Sequence, residues 1–158
     1  MGLDATVYCN CYKTGQVKNQ PPYQELVEID VSGAVYIVTD NNDKYFEFED
    51  WKRSACIHEK MVFLHHRLGN IGAIGHVATH VEEVSAQKNY KFPILLTKVI
   101  YSGSHAGDQL DLPDITLLAI ELNMLKSEIQ DDILTRNVVN DLLDLCEKAF
   151  IMQNPIVF

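Results

Sequence analysis

Two histidines stand four positions apart in a stretch that we expect to be helical, and they are the first candidates for chemistry. His76 and His80 project from one face of an α-helix, where two imidazoles can share a metal ion. A zinc protease of the His-Glu-x-x-His type needs a glutamate directly after the first histidine, because that carboxylate is the general base. Position 77 is a valine, so we exclude this protease class.

The remaining candidate ligands do not complete a metal site by their spacing. A structural zinc ion needs four ligands in a recognisable pattern, and neither the pair His65 and His66 nor the pair Cys9 and Cys11 supplies it. We therefore predict that the chain holds no metal and no other cofactor. The four cysteines are spread too widely for a disulfide framework, so we expect free thiols at Cys9, Cys11, Cys56 and Cys146.

The short segment from Tyr101 to Asp108 contains two glycines and concentrates hydroxyl, imidazole and carboxylate groups. A Ser-His-Asp triad is disfavoured there, because neighbours in one loop seldom converge and no Gly-x-Ser-x-Gly elbow is present. We predict no catalytic residues, and we predict a binding role for Ser102, Ser104, His105 and Asp108. The alternative, that His105 or Asp108 ties the loop together through hydrogen bonds to the backbone, stays open.

Three glycines repeat at three-residue intervals where the helix of His76 begins. Gly69, Gly72 and Gly75 match neither a dinucleotide fingerprint nor a P-loop, which ends in Gly-Lys-Ser/Thr. Because a glycine inside a helix costs about 1 kcal/mol relative to alanine, we expect compensation from the close approach of another element. The repeat therefore predicts a packing seam.

The elements that position these groups follow from hydrophobic periodicity and turn signals, and they predict an α+β fold with a small N-terminal antiparallel sheet and a helix-rich C-terminal half. Alternation predicts a strand over 3–12 and a hairpin over 25–30 and 34–39, which together make a three-stranded sheet. The segment 61–68 fits either a strand or a helix end. Two helices are predicted in the middle of the chain, over 70–86 and 92–101, and an earlier one ends at about 56. Two more follow in the C-terminal part, from a cap at Asp114 to about 126 and over 131–152. A short strand is predicted at 109–112.

The totals exclude several classes of protein. A chain of 158 residues has the length of one domain, and we expect a single globular domain over 1–158. The formal net charge of −9 excludes a general attraction to nucleic acid or to anionic membranes. No apolar run is long enough to span a bilayer and no secretory signal precedes Thr6, so we expect a cytoplasmic protein.

Three stretches of the sequence resemble a group of small uncharacterised bacterial proteins. They are the opening Met-Gly-Leu-Asp-Ala-Thr-Val-Tyr, the run from His65 to Ile71, and Tyr-Ser-Gly-Ser-His-Ala-Gly-Asp, which precedes an Asp-Ile-x-x-Leu-x-x-Glu-Leu helix. Some proteins of this group are similar to immunity proteins of polymorphic toxin systems. The resemblance implies a cytoplasmic bacterial protein with a cognate protein partner, and it brings no catalytic residues.

These observations favour a protein-binding domain, of the type of an immunity inhibitor, over an enzyme. An acidic chain is attracted to a basic, toxin-like partner, and the carboxylates between Glu121 and Lys148 suggest the C-terminal helices as the interface. A small metal-dependent or hydrolytic enzyme is the alternative, centred on His76, His80, His105 and Asp108, and it requires these groups to meet in one pocket. The sequence leaves the oligomeric state open.

Overall fold

The computed structural model describes residues 2–129 and 131–158, and the predicted α+β class is confirmed. Six strands are present: β1 (Gly2–Tyr8), β2 (Val27–Ile29), β3 (Val35–Ile37), β4 (Val62–Asn70), β5 (Gln109–Leu110) and β6 (Ile156–Val157). Four α-helices accompany them: α1 (Asn42–Ser54), α2 (Ile71–Lys88), α3 (Leu112–Lys126) and α4 (Ile133–Met152). Shorter helical segments are a π-helix at Leu95–Val99 and 3-10 turns at Gln24–Leu26 and Glu59–Met61.

The main sheet has four strands in the order β4-β1-β6-β5, and every neighbouring pair is antiparallel. In β1, alternate side chains enter the core, so Leu3, Ala5 and Val7 are fully buried. The predicted three-stranded sheet is wrong, because β2 and β3 pair only with each other as a separate hairpin. Of the segment 61–68, residues 62–68 lie within β4, the long partner of β1, whereas Met61 ends the preceding 3-10 turn. The partners of β1 are distant in the chain and leave no local pattern.

Side-chain caps fix where the four α-helices begin, and Asn41 caps α1 by accepting the Lys44 N–H. Helix α2 is capped by Asn70, whose side chain accepts the Ala73 N–H, and it confirms the predicted helix over 70–86. The cap predicted for α3 is wrong, since Asp111 is the capping residue and accepts the N–H of Asp114 at 3.0 Å. In the same way Asp132 caps α4.

The glycine repeat does not form the predicted packing seam. A Cβ at Gly75 would meet no atom within 4 Å, and one at Gly72 would touch only the Asn70 side chain. These two glycines therefore face open space in α2. Crowding occurs instead at Gly103, where a Cβ would lie 2.6 Å from the Cα of Ile71, so the loop crosses the start of α2 at backbone distance.

The buried apolar side chains form two cores. The main core lies between the four-stranded sheet and helices α2, α3 and α4, and it also includes the segment 92–100. The apolar periodicity of the last helix places Ile133, Val138, Leu142, Cys146 and Ala149 on one face. Four of these residues belong to the main core, whereas Ile133 is 64% exposed in the first turn of α4. The small core lies beside α1 and the hairpin and contains Cys9, Cys11, Val35, Ile37, Phe48, Ala55, Cys56 and Met61.

Across residues 2–129 and 131–158, none of the helices combines the length and the apolar character that a membrane span requires. A single domain over 1–158 stays a prediction, and Met1 lies outside the described residues.

Candidate functional site

The loop predicted to bind a ligand is tied to the C-terminal end of the chain. Gly107 donates its N–H to the carbonyl of Phe158 at 2.7 Å, and Phe158 donates to the carbonyl of Asp108 at 2.8 Å. These two bonds extend the pairing of β5 with β6. The loop is therefore held at the edge of the main sheet, directly beside the first turn of α3.

Among the four predicted binding residues, His105 and Asp108 come together and share an aromatic neighbour. The buried His105 ring lies 4.7 Å from the Tyr101 ring, and its Nε2 donates to the Val99 carbonyl at 2.8 Å. Its Nδ1 lies 3.1 Å from the Asp108 carboxylate, but the angle makes no hydrogen bond. Tyr101 donates its hydroxyl to Asp108, and this bond raises the pKa of Tyr101.

The two serines of the loop bond to each other. The Ser102 hydroxyl donates to the Ser104 carbonyl at 3.3 Å and accepts the Ser104 N–H at 3.4 Å. The bond of His105 to Val99 is the side-chain to backbone tie that the sequence left open. A binding role for the four residues stays a prediction, and their contacts within the loop explain its shape without a ligand.

His76 and His80 converge on a carboxylate that also begins α4. The Oδ2 of Asp132 lies 2.6 Å from Nε2 of His76 and 3.2 Å from Nδ1 of His80. The other carboxylate oxygen of Asp132 accepts the Thr135 N–H at 2.9 Å. That backbone bond, followed by the His76 contact, lowers the pKa of Asp132. The arrangement joins α2 to the N-terminus of α4 through a charged cap.

Two of the four residues of the enzyme alternative, His80 and Asp108, line separate clefts. The cleft beside His80 is lined by Asp132 and its neighbours, whereas the cleft beside Asp108 is lined by Tyr101 and Lys98. The two clefts have no lining residue in common. A reaction that uses all four residues requires them at hydrogen-bond distance around one substrate, and the enzyme alternative stays a prediction.

The carboxylates of the C-terminal helices are less available for a partner than their number suggests. Glu121 is buried and accepts the N–H groups of Ile94 at 3.0 Å and Leu95 at 2.8 Å. Burial raises the pKa of Glu121, and the two backbone hydrogen bonds act in the opposite direction. Asp144 of α4 lies 3.1 Å from Nε2 of His66 on β4. Because Glu121 is buried, it cannot contribute to the acidic interface that the sequence suggests between Glu121 and Lys148.

The outer side of α3 carries an exposed apolar stripe instead. The exposed fractions of Leu117, Ile120 and Met124 are 51%, 55% and 38%, and the exposed Pro113 continues the stripe at the N-terminal end. Their spacing of four, three and four residues places all four on one line along the helix. The opposite side of α3 enters the main core through Ile115, Leu118, Leu122 and Leu125.

This stripe, which we call the α3 stripe (Pro113, Leu117, Ile120 and Met124), begins at an acidic cleft. The cleft is lined by Asp111 and Asp114, together with the apolar side chains of Val31 and Pro155. Asp114 also pairs with Lys98, which leaves Asp111 as the more exposed carboxylate. Charge and apolar surface are therefore adjacent at the N-terminal end of α3.

One cluster of reactive side chains was not predicted from the spacing of residues in the sequence. The structure gathers three buried thiols and an imidazole beside the small core, from segments 47 positions apart: Cys9, Cys11, Cys56 and His58. Burial raises the pKa of the Cys9 thiol to about 12 and also raises that of Cys11. The sequence signal for this cluster was two short motifs, Cys-x-Cys and Cys-x-His, in which one residue separates the two ligand types.

Comparisons with protein families, curated proteins and solved structures find no match to this chain.

Proposed function

We propose that this protein is a protein-binding domain that uses the α3 stripe to hold a basic protein partner, in the manner of an immunity-type inhibitor. The observation that carries the proposal is the apolar stripe of α3, exposed along about three turns of a helix whose other side is already buried in the main core.

An exposed stripe of this kind is unusual in a surface helix. Surface helices of globular proteins place charged or polar side chains opposite their buried face, and a helix that is apolar on both sides is normally covered on both. Between Ile115 and Leu125 the only charged side chain of α3 is Glu121, which is buried. Apolar surface that remains open on a folded chain marks an interaction site.

Charge determines the kind of partner. The chain has a formal net charge of −9, and Asp111 lies in the cleft where the α3 stripe begins. A partner with apolar side chains for the stripe and lysines or arginines beside them complements both features. Electrostatic attraction of this kind accelerates association and selects against acidic competitors. The resemblance to proteins similar to toxin immunity proteins supports the same class of partner.

Affinity capture with immobilised variants tests the proposal. The wild-type chain, incubated with lysate of the organism that encodes it, is expected to retain a basic protein at low salt and to release it as ionic strength rises. The double substitution Leu117→Arg and Ile120→Arg places two positive charges in the stripe, and we expect it to abolish capture.

A matched control is available on α4. Asn137→Arg and Asn140→Arg add the same two charges at the same spacing on exposed positions of another helix. We expect this control to capture the partner almost as well as the wild type, because it lies outside the α3 stripe. Circular dichroism and thermal melting check that both double variants are folded. Equal capture by both double variants would contradict the proposed surface.

A further inference from the structure

We propose that Cys9, Cys11, Cys56 and His58 bind one structural zinc ion, which holds the small core together. The ligand atoms of these four residues all lie within 4.8 Å of one another. Three sulfurs and one imidazole nitrogen form a Cys3His set, which is one of the ligand combinations of structural zinc. This site is independent of the α3 stripe.

The separations between the ligand atoms fit a tetrahedral ion. With Zn–S distances of about 2.3 Å and Zn–N distances of about 2.0 Å, a tetrahedron separates two sulfurs by about 3.8 Å and a sulfur from a nitrogen by about 3.5 Å. The Cys9 and Cys56 sulfurs are 3.8 Å apart. Nδ1 of His58 lies 3.3 Å from the Cys11 sulfur and 3.8 Å from the Cys56 sulfur. The four atoms therefore surround a space of the size that zinc occupies.

Backbone hydrogen bonds hold the two ligand-bearing segments against each other. Cys9 follows β1 and donates its N–H to the Met61 carbonyl at 3.0 Å, which continues the pairing of β1 with β4. Lys18 donates to the Ala55 carbonyl at 2.7 Å, directly before Cys56. The fold thus brings Cys9 and Cys11 next to Cys56 and His58, so the four ligands are already assembled before a metal ion binds.

The immediate surroundings also suit a thiolate site. The N–H of His58 donates to the Cys56 sulfur at 3.4 Å, a bond that stabilises negative charge on that sulfur. The ring of His58 packs edge-on against Phe63 at 5.1 Å between centroids, which fixes the direction of its Nδ1. Groups that orient metal ligands in this way contribute to affinity although they do not touch the ion.

The small core explains why an ion would be useful there. Three of its eight buried side chains are the thiols themselves, and the hairpin beside it has strands of only three residues. A unit with so few apolar groups gains little from hydrophobic burial, and small units of this kind are commonly held by a metal or by disulfides. A zinc ion would join the end of β1 to the segment after α1.

The site is closed, which indicates a structural ion rather than a catalytic one. All three cysteines are buried, and four protein ligands leave no position for a water or a substrate. Binding of Zn²⁺ converts the three thiols to thiolates and releases three protons to the solvent, while His58 binds through its neutral ring. The bound group would carry one net negative charge.

Elemental analysis of the full-length protein, purified without chelators, is the first test. We expect one equivalent of zinc per chain, and we expect Cys9→Ser, Cys56→Ser and His58→Ala each to lose it. Cys146→Ser is the matched control, because Cys146 is a buried thiol of the main core and should keep the ion. His58→Cys should also keep it, since a fourth thiolate completes an equivalent set.

A second measurement keeps the test decisive if the ligand variants fold poorly. Wild-type protein is stripped with a chelator under reducing conditions and titrated with Co²⁺, which reports tetrahedral thiolate coordination by its visible absorption. We expect saturation at one equivalent, displacement by Zn²⁺, and a lower melting temperature for the stripped protein. A chain that contains no zinc and gives no such absorption overturns the proposal. Stoichiometric iron, or a Cys9–Cys56 disulfide in the protein purified from cells, overturns it equally.

Discussion

The carboxylate of Glu121, in the middle of α3, accepts the backbone N–H of Leu95 at 2.8 Å and that of Ile94 at 3.0 Å. It therefore caps the helical segment after Pro93 from outside that segment, 26 positions further along the chain. N–H groups in the first turn of a helix have no partner within the helix, and a buried carboxylate satisfies two of them here. One residue of α3 thus orients the apolar segment 93–99 against the main core.

Removal of this cap should be costly. Glu121→Ala leaves two buried N–H groups without an acceptor, and each such group costs about 1–3 kcal/mol. We expect the free energy of unfolding in urea to fall by at least about 2 kcal/mol. Asn123→Ala is the control on the exposed side of the same helix and should change stability by less than about 0.5 kcal/mol. Equal stability of the two variants would show that the cap contributes nothing.

Asp132 should make stability depend on pH in the acid range. Its pKa in the folded protein lies below the ordinary value of 3.8, chiefly through the Thr135 N–H and then through His76. A lowered pKa means that the ionised form stabilises the fold. The contribution is complete above about pH 4 and is lost as the pH falls through the lowered value.

The measurement compares Asp132→Ala with Asp131→Ala, its exposed neighbour, which caps no helix. We expect Asp132→Ala to cost about 1 kcal/mol at neutral pH, as the loss of a helix cap does. The difference between the wild type and Asp132→Ala should shrink as the pH is lowered below about 3.8. A difference that stays constant down to acid unfolding would contradict the assigned charge of the cap.

Two glycines of the 102–108 loop should resist substitution for different reasons. A Cβ at Gly103 would collide with the backbone of Ile71, whereas Gly107 has open space but a φ of +85°. Valine at either position is expected to destabilise the fold by about 1–3 kcal/mol. Asparagine separates the two mechanisms, because it tolerates positive φ at 107 and still collides at 103.

Gly75→Ala is expected to change stability in the opposite direction in the same experiment. The position lies in α2 with nothing within 4 Å of a new Cβ, so alanine should stabilise the helix by about 0.5–1 kcal/mol. Denaturant midpoints of the four variants, Gly103→Val, Gly107→Val, Gly107→Asn and Gly75→Ala, check both mechanisms together. Wild-type midpoints for both valine variants would mean that the loop is unconstrained.

Local patterns in the sequence predicted the helices well. Apolar spacing placed α2 and α4 to within a few residues of their observed ends, whereas the cap predicted at Asp114 was wrong. The sheet was predicted poorly, because β1 pairs with β4 and β6, which are about 60 and 150 positions away. A strand of two residues such as β6 has no periodicity to detect.

The two candidate sites were not predicted from the sequence, and each has its own physical reason. Cys11 and His58 are 47 positions apart, and long-range contacts, among them the pairing of β1 with β4, bring their segments together. The α3 stripe could not be predicted from the sequence for a different reason. The apolar residues on the two sides of α3 are interleaved in the sequence, so the pattern indicates a buried helix rather than one with an exposed side.

Site-specific photo-crosslinking is the most direct test of protein binding through α3, because it reports which positions contact a partner. A photoreactive amino acid is placed at Ile120 in the α3 stripe, at Asp111 in the acidic cleft, and at Glu83 on the exposed side of α2 as the reference position. We expect one basic protein to crosslink from positions 120 and 111 at low salt, to be competed by excess wild-type chain, and not to crosslink from position 83. Equal crosslinking from all three positions, or crosslinking from position 83 alone, would contradict it.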